Sequence, residues 1–321
     1  MNKSGGTSVK KCLSKWMRRK HVRLGLYDSQ EWAIGMRPLA QAHLEQNLTM
    51  TWGGYTEGLR AYGAQDCKWF TMFRHPISRL VSAHYFCKTY PDDQLCATLP
   101  RGADNGDLLA FARHWGNYGL MQFVLAFVKP EDIVPDEETW AVTPKDRVCL
   151  QHFRRRNRWQ GCPGWYRLKL FVERRSACTG QTGGELECED SKPPRNQEWM
   201  HQFLQPVMDI LSEKYAAVGL MEQWDASMQL YQSALGLVGM DWLAASSKVG
   251  VTKYGLSQAH QDEAKETLRG AWHDPEIRQL LWLDMLLYDH AVNVFNKQIE
   301  YHDVQVVRGW SEQGNNTREE K

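Results

Sequence analysis

The chain has 321 residues, 42% hydrophobic and 24% charged, with 39 Lys and Arg against 38 Asp and Glu. That length suits one sizeable α/β domain or two small ones, and the near-zero net charge argues against a general nucleic-acid binder. No run approaches the roughly 18 apolar residues of a membrane span, and the N-terminus lacks a charged-then-apolar leader pattern.

Lys3-Ser4-Gly5-Gly6-Thr7-Ser8 is a glycine-rich loop feeding a helix predicted from Val9 to Lys20. Backbone N–H groups in such a loop can cradle an anionic group. It is not a Walker A loop, because Lys3 precedes the glycines instead of following them, which disfavours an ordinary ATPase or kinase. Val22 to Tyr27 alternates weakly as a strand, Gly35 to His43 reads as strand or loop, and Thr56 to Tyr62 as a short helix after Gly53-Gly54.

Lys68 to Phe86 is the most informative stretch. Trp69 to Phe73 reads as a strand, Arg74-His75-Pro76 as a sharp break, and Ile77, Leu80, Val81, His84 and Tyr85 recur at helical spacing. Pro76 suits a first helical turn, so the break sets Arg74 at the carboxyl end of the strand, beside a helix N-terminus. Arg74 brings a permanent forked charge, and Ser82, two turns into the helix, can add a hydroxyl to a phosphate along that flank. The competing reading is a βα unit with an ordinary surface Arg.

Helices are predicted for Asp107 to Trp115 and Tyr118 to Val128, joined by a short turn at Gly116-Asn117. From Lys145 to Arg175 ten Lys or Arg face two acids, a local net of +8. Arg154, Arg155, Arg156, Arg158 and Trp159 mix guanidinium forks with a flat aromatic face, a combination suited to a sulfated or uronate-rich glycan; a solvated basic insertion is the alternative. Cys87 with Cys96, Cys149 with Cys162 and Cys178 with Cys188 would each close a short loop, leaving Cys12 and Cys67. Each closure contributes about 2 to 3 kcal/mol in the chain-entropy model. No CxxC or HxxxH spacing supports a metal site. Asn47-Leu48-Thr49 and Asn315-Asn316-Thr317 are glycosylation sequons.

Glu198 to Lys214 is predicted as an amphipathic helix, Ala217 to Leu220 as a short buried strand, Trp224 to Leu235 as another helix and Glu276 to Tyr301 as one long packing helix. Lys248 to Gly255 is a polar loop, and Gly309 to Lys321 a polar tail read as disordered.

Taken together, KSGGTS and FRHPISRLVSAHYF resemble the two nucleotide-binding motifs of the sulfotransferases. The likeness is closest to the carbohydrate branch that includes the heparan sulfate 2-O- and 6-O-enzymes. There, PKSGGTS-like and RDPxxRxxSxYxF-like stretches hold 3′-phosphoadenosine-5′-phosphosulfate (PAPS). Asn117-Tyr118, the run Ala217 to Asp225, and Asp284, Leu287, Tyr288, Ala291 and Phe295 also look like this family, whereas 129–195 does not.

The resemblance implies an α/β, P-loop-like fold with a central parallel sheet flanked by helices, filling residues 1–308 with a basic, cysteine-containing insertion at about 130–195. It assigns Lys3, Ser4, Gly5, Gly6, Thr7 and Ser8 to the 5′-phosphosulfate, and Arg74 and Ser82 to the 3′-phosphate. Thr252 and Lys253 lie in a segment like the one this family folds over the nucleotide, with Gly250 where an Asn is often found. A His between the two donor motifs commonly acts as the base, which points to His43, with Glu45 second. The implied reaction moves a sulfuryl group from PAPS to a hydroxyl of a carbohydrate or small molecule, without a metal. A non-catalytic nucleotide- or glycan-binding protein with a damaged donor site is the alternative. Only Met1 and Asn2 precede Lys3, where the family has a strand; this favours a fragment or mis-started chain, whose leader could carry a signal anchor, over a variant with a damaged donor site. Paired cysteines, sequons and the resemblance together point to a lumenal protein, in the Golgi if an upstream signal anchor is missing from this sequence.

Overall fold

Trp69–Phe73 (β3) forms a strand because its apolar side chains serve two covered faces, with Trp69, Met72 and Phe73 buried. The computed structural model describes residues 6–20, 24–26, 50–52, 67–90, 96, 107–124, 198–240 and 258–304. Within them the protein is α/β and mostly helical, with two parallel strand pairs. β1 (Leu24–Leu26) pairs with β2 (Met50–Trp52). β3 pairs with β4 (Tyr215–Leu220) from Trp69↔Tyr215 to Phe73↔Leu220, with a register irregularity between Trp69 and Phe70 that skips Ala216.

The first helix, α1 (Gly6–Lys20), starts three residues earlier than its apolar pattern, so Gly6, Thr7 and Ser8 form its first turn. Val9, Cys12, Leu13 and Met17 bury one face, and the Trp16 indole N–H reaches the Val238 carbonyl at 3.1 Å. α2 (Pro76–Thr89) follows β3 directly with Pro76 in its first turn. It is covered nearly all round; Ser78, Ser82 and Phe86 form the partly exposed line, four residues apart. Its end is tied by a Cys87–Cys96 disulfide, with Cα atoms 5.3 Å apart. Cys12, buried, and Cys67, exposed, take no part in that bridge. Cys149, Cys162, Cys178 and Cys188 lie outside the described residues.

α3 (Leu108–Trp115) is capped by Asp107, whose carboxylate accepts from the Leu109 N–H at 2.9 Å. The Gly116-Asn117 turn leads to α4 (Tyr118–Val124), with Asn117 at φ 54°. A Cβ at Gly116 would lie 2.8 Å from the Leu280 carbonyl oxygen, so glycine permits that close approach. α5 (Glu198–Lys214) runs straight into β4, which begins two residues before its predicted start. A single 3₁₀ turn (Met221–Gln223) then joins β4 to α6 (Trp224–Leu235), which ends on Gly236 at φ 70°.

α7 (Gln258–His273), α8 (Pro275–Leu280) and α9 (Trp282–Tyr301) complete the described chain. The single helix expected from Glu276 to Tyr301 is in fact two. It breaks at Leu281, a fully buried residue at φ −107°, ψ 7°, where the Leu280 carbonyl turns against Gly116.

The core lies where α5, α6 and α9 pack on β4, and α2, α3 and α4 join them through Leu80, Phe111, Trp115 and Tyr118. Arg79 and Asp284 form a buried ion pair inside it. The Asp284 carboxylate also accepts from the Gly119 and Leu120 N–H groups at 2.9 and 2.7 Å, capping α4, while its own N–H donates to the Asn117 side chain at 3.2 Å. Buried charge persists here because its hydrogen bonds are made.

The side of β4 away from β3 is closed by side chains. Gln298 accepts from the Val218 N–H at 2.8 Å and donates to the Tyr215 carbonyl at 2.9 Å, spanning the skipped Ala216. Ser227 bonds both the N–H and the carbonyl of Leu220, at 2.8 and 2.9 Å.

Candidate functional site

Two parallel strands end side by side at Phe73 and Leu220. Ligands of open α/β sheets bind beyond such carboxyl ends. The next residue, Arg74, is half-buried; burial lowers its pKa from the ordinary guanidinium value, the Glu222 carboxylate opposes that, and the Arg79 charge adds to it. It stays cationic at any physiological pH.

His75 caps α2 without a side-chain cap bond, at φ −49°, ψ 130°. Its backbone N–H instead donates to Glu222 Oε1 at 2.9 Å. Glu222 Oε2 accepts from the Tyr288 hydroxyl at 3.0 Å, so one carboxylate joins the β3–α2 break to α9. The His75 ring packs on Trp272, with centroids 4.0 Å apart, and meets Tyr288 edge-on at 5.1 Å. Burial, then the nearby Arg278 charge, pushes its imidazole down to about 4, so His75 is neutral near pH 7. Burial, then the charge and hydrogen bond of Glu222, raises the Tyr288 phenol, which therefore remains a donor.

Ser82 lies two turns into α2 on its partly exposed line, with Ser78 one turn nearer the break. The structure thus brings Arg74 and Ser82 onto one strand–helix unit, as the motif reading expects. Ser78 and Trp272 are additions, while Glu222 and Tyr288 fall in stretches that the sequence marks only as family-like, without a role. Trp272 belongs to a helix whose polar sequence conceals its inward face.

For the other expected residues the structure describes less. Gly6, Thr7 and Ser8 are placed by backbone in the first turn of α1. Lys3, Ser4, Gly5, His43, Glu45, Arg154, Arg155, Arg156, Arg158, Trp159, Thr252 and Lys253 lie outside the described residues.

The described cluster can bind an anion: a forked cation at the strand ends, two hydroxyls beyond it, and the start of a fourteen-residue helix. Among the described residues no group of three His, Cys, Asp or Glu side chains could hold a metal ion, and no helix is long and apolar enough to cross a membrane. No protein-family model, curated protein or solved structure matches the chain.

Proposed function

We propose that the protein is a PAPS-dependent sulfotransferase of P-loop-like fold that transfers a sulfuryl group to a hydroxyl, with a glycan as acceptor and the Golgi lumen as its compartment. One observation carries the reading: Arg74, half-buried, stands at the carboxyl end of a parallel strand pair, one residue from a helix that opens on Pro76. Beside it stand the two sequence motifs and their order. In this reading Arg74 and Ser82 take the 3′-phosphate, and the Lys3–Ser8 loop holds the phosphosulfate and stabilises charge on the departing phosphate. His43 accepts the hydroxyl proton, Thr252 and Lys253 cover the nucleotide, and the Arg154–Trp159 cluster, with Glu45, meets the acceptor. Such a transfer depends on positioning and electrostatics more than on covalent chemistry.

The test is a transfer assay with labelled PAPS against a panel of glycan and small-molecule hydroxyls, paired with calorimetry of adenosine 3′,5′-bisphosphate (PAP). Arg74→Ala is expected to weaken PAP binding by about 1.5 to 3 kcal/mol, and Arg74→Lys to recover only part, since the fork is lost. Unchanged PAP affinity in folded Arg74→Ala would overturn the site. PAP binding without transfer to any acceptor would favour the non-catalytic reading.

A further inference from the structure

We propose that Glu222 is a positioning residue: it fixes the β3–α2 break, and through it the orientation of Arg74 in the candidate anion site. The part concerning PAP rests on the sulfotransferase reading; the part concerning the break does not.

Glu222 sits on the one-turn connection after β4, beside the strand end that precedes Arg74. Its two carboxylate oxygens are used separately, one by the His75 N–H and the other by the Tyr288 hydroxyl. Three segments far apart in sequence are thereby joined at one side chain. The His75 ring lies against Trp272 on one side and Tyr288 on the other, so the break is held by backbone and ring alike. Arg74 and His75 are adjacent, so a restraint on the His75 amide restrains the peptide plane from which the Arg74 side chain departs. The Glu222 charge also works against the cost of burying the Arg74 guanidinium.

Position and charge can be separated by substitution. In Glu222→Gln the amide oxygen can still accept from His75, and its NH₂ can donate to the Tyr288 hydroxyl oxygen, so geometry survives without the charge. Glu222→Ala removes both bonds and leaves a partly buried N–H and hydroxyl unpaired.

The experiment follows full-length protein by His75 amide hydrogen exchange and the Arg74 Nε–H heteronuclear NOE in NMR, alongside PAP calorimetry. Glu222→Ala is expected to speed His75 exchange at least tenfold, lower the Arg74 NOE and weaken PAP binding about tenfold. Glu222→Gln is expected to restore all three to within about threefold, with PAP bound as tightly as by wild type or more so. Wild-type-like exchange and NOE in Glu222→Ala would overturn the proposal, as would a Glu222→Gln variant as loose as Glu222→Ala. If Glu222→Ala does not fold, Tyr288→Phe decides: faster His75 exchange supports the proposal and unchanged exchange refutes it. If wild type binds no PAP, the donor reading fails, and exchange and NOE alone judge the role of Glu222.

Discussion

His84 is 2% exposed, lies between the Tyr85 and Phe111 rings at 5.4 and 5.2 Å, and has no hydrogen-bond partner for either ring nitrogen among the described residues. Burial, then the Lys88 charge, pushes its imidazole down to about 4, against the pull of Glu263 and Asp107. An unfolded His titrates near 6.5. Between these values the unfolded chain binds the extra proton, so the contribution of a neutral His84 is full above pH about 6.5, falls as pH drops and levels off below about 4. Urea titrations across that window should show His84→Phe losing about 1 to 3 kcal/mol less than wild type; parallel pH profiles would refute this. Catalysis has its own single-residue test: His43→Ala should leave PAP affinity nearly unchanged and cut turnover roughly 10²- to 10⁴-fold. Full activity would pass the role of base to Glu45. That Arg74 follows a strand and Ser82 lies on the helix after it was legible in the sequence, because neighbours a few positions away define both elements. The role of Glu222 was not, since its partners His75 and Tyr288 lie 147 and 66 residues from it.

At the scale of elements, the β3–β4 pair depends on Gly219. A Cβ there would lie 2.5 Å from the Tyr231 hydroxyl oxygen and 3.1 Å from the Ser227 Cβ. The Tyr231 hydroxyl donates to the Thr71 carbonyl at 2.6 Å, so displacing it disturbs both strands. Gly219→Ala is expected to destabilise the protein by about 1 to 3 kcal/mol in urea unfolding. Combined with Tyr231→Phe it should cost less than the sum of the single changes, and strict additivity would argue against this contact. The boundaries of β3 and α2 could be read because Pro76 marks them chemically. The break at Leu281 could not, because the apolar period continues through it and only the carbonyl of Leu280 against Gly116 marks the turn. α7 is illegible for the opposite reason: Ala264, Leu268, Ala271 and Trp272 pack inward from an otherwise polar sequence.

Across the whole molecule, the Cys87–Cys96 bridge ties Cys96 to α2, and both cysteines are buried. Its sequence separation of 9 implies a loss of about 2 to 3 kcal/mol on reduction, to be read as a fall in thermal midpoint with reductant. An unchanged midpoint would show that packing alone holds Cys96 in place. Non-reducing peptide mapping extends the test to Cys149 with Cys162 and Cys178 with Cys188. Of the expected architecture, strand-to-helix order was legible from apolar spacing and one proline, whereas parallel pairing was expected only from the family resemblance. The tie between α2, α4 and α9 through Arg79 and Asp284 was not, because a charged residue in a sequence does not announce that it will be buried.

The side chains of Gln298 and Ser227 have one more consequence, for how this sheet can grow. An exposed strand edge is a template for another chain, in aggregation or in peptide capture. On β4 the Val218 and Leu220 amides and the Tyr215 carbonyl are already engaged by residues of α9 and α6, so the strand is a finished margin. A further strand would enlarge this pair from the β3 side, and a foreign peptide approaching β4 would first have to evict Gln298.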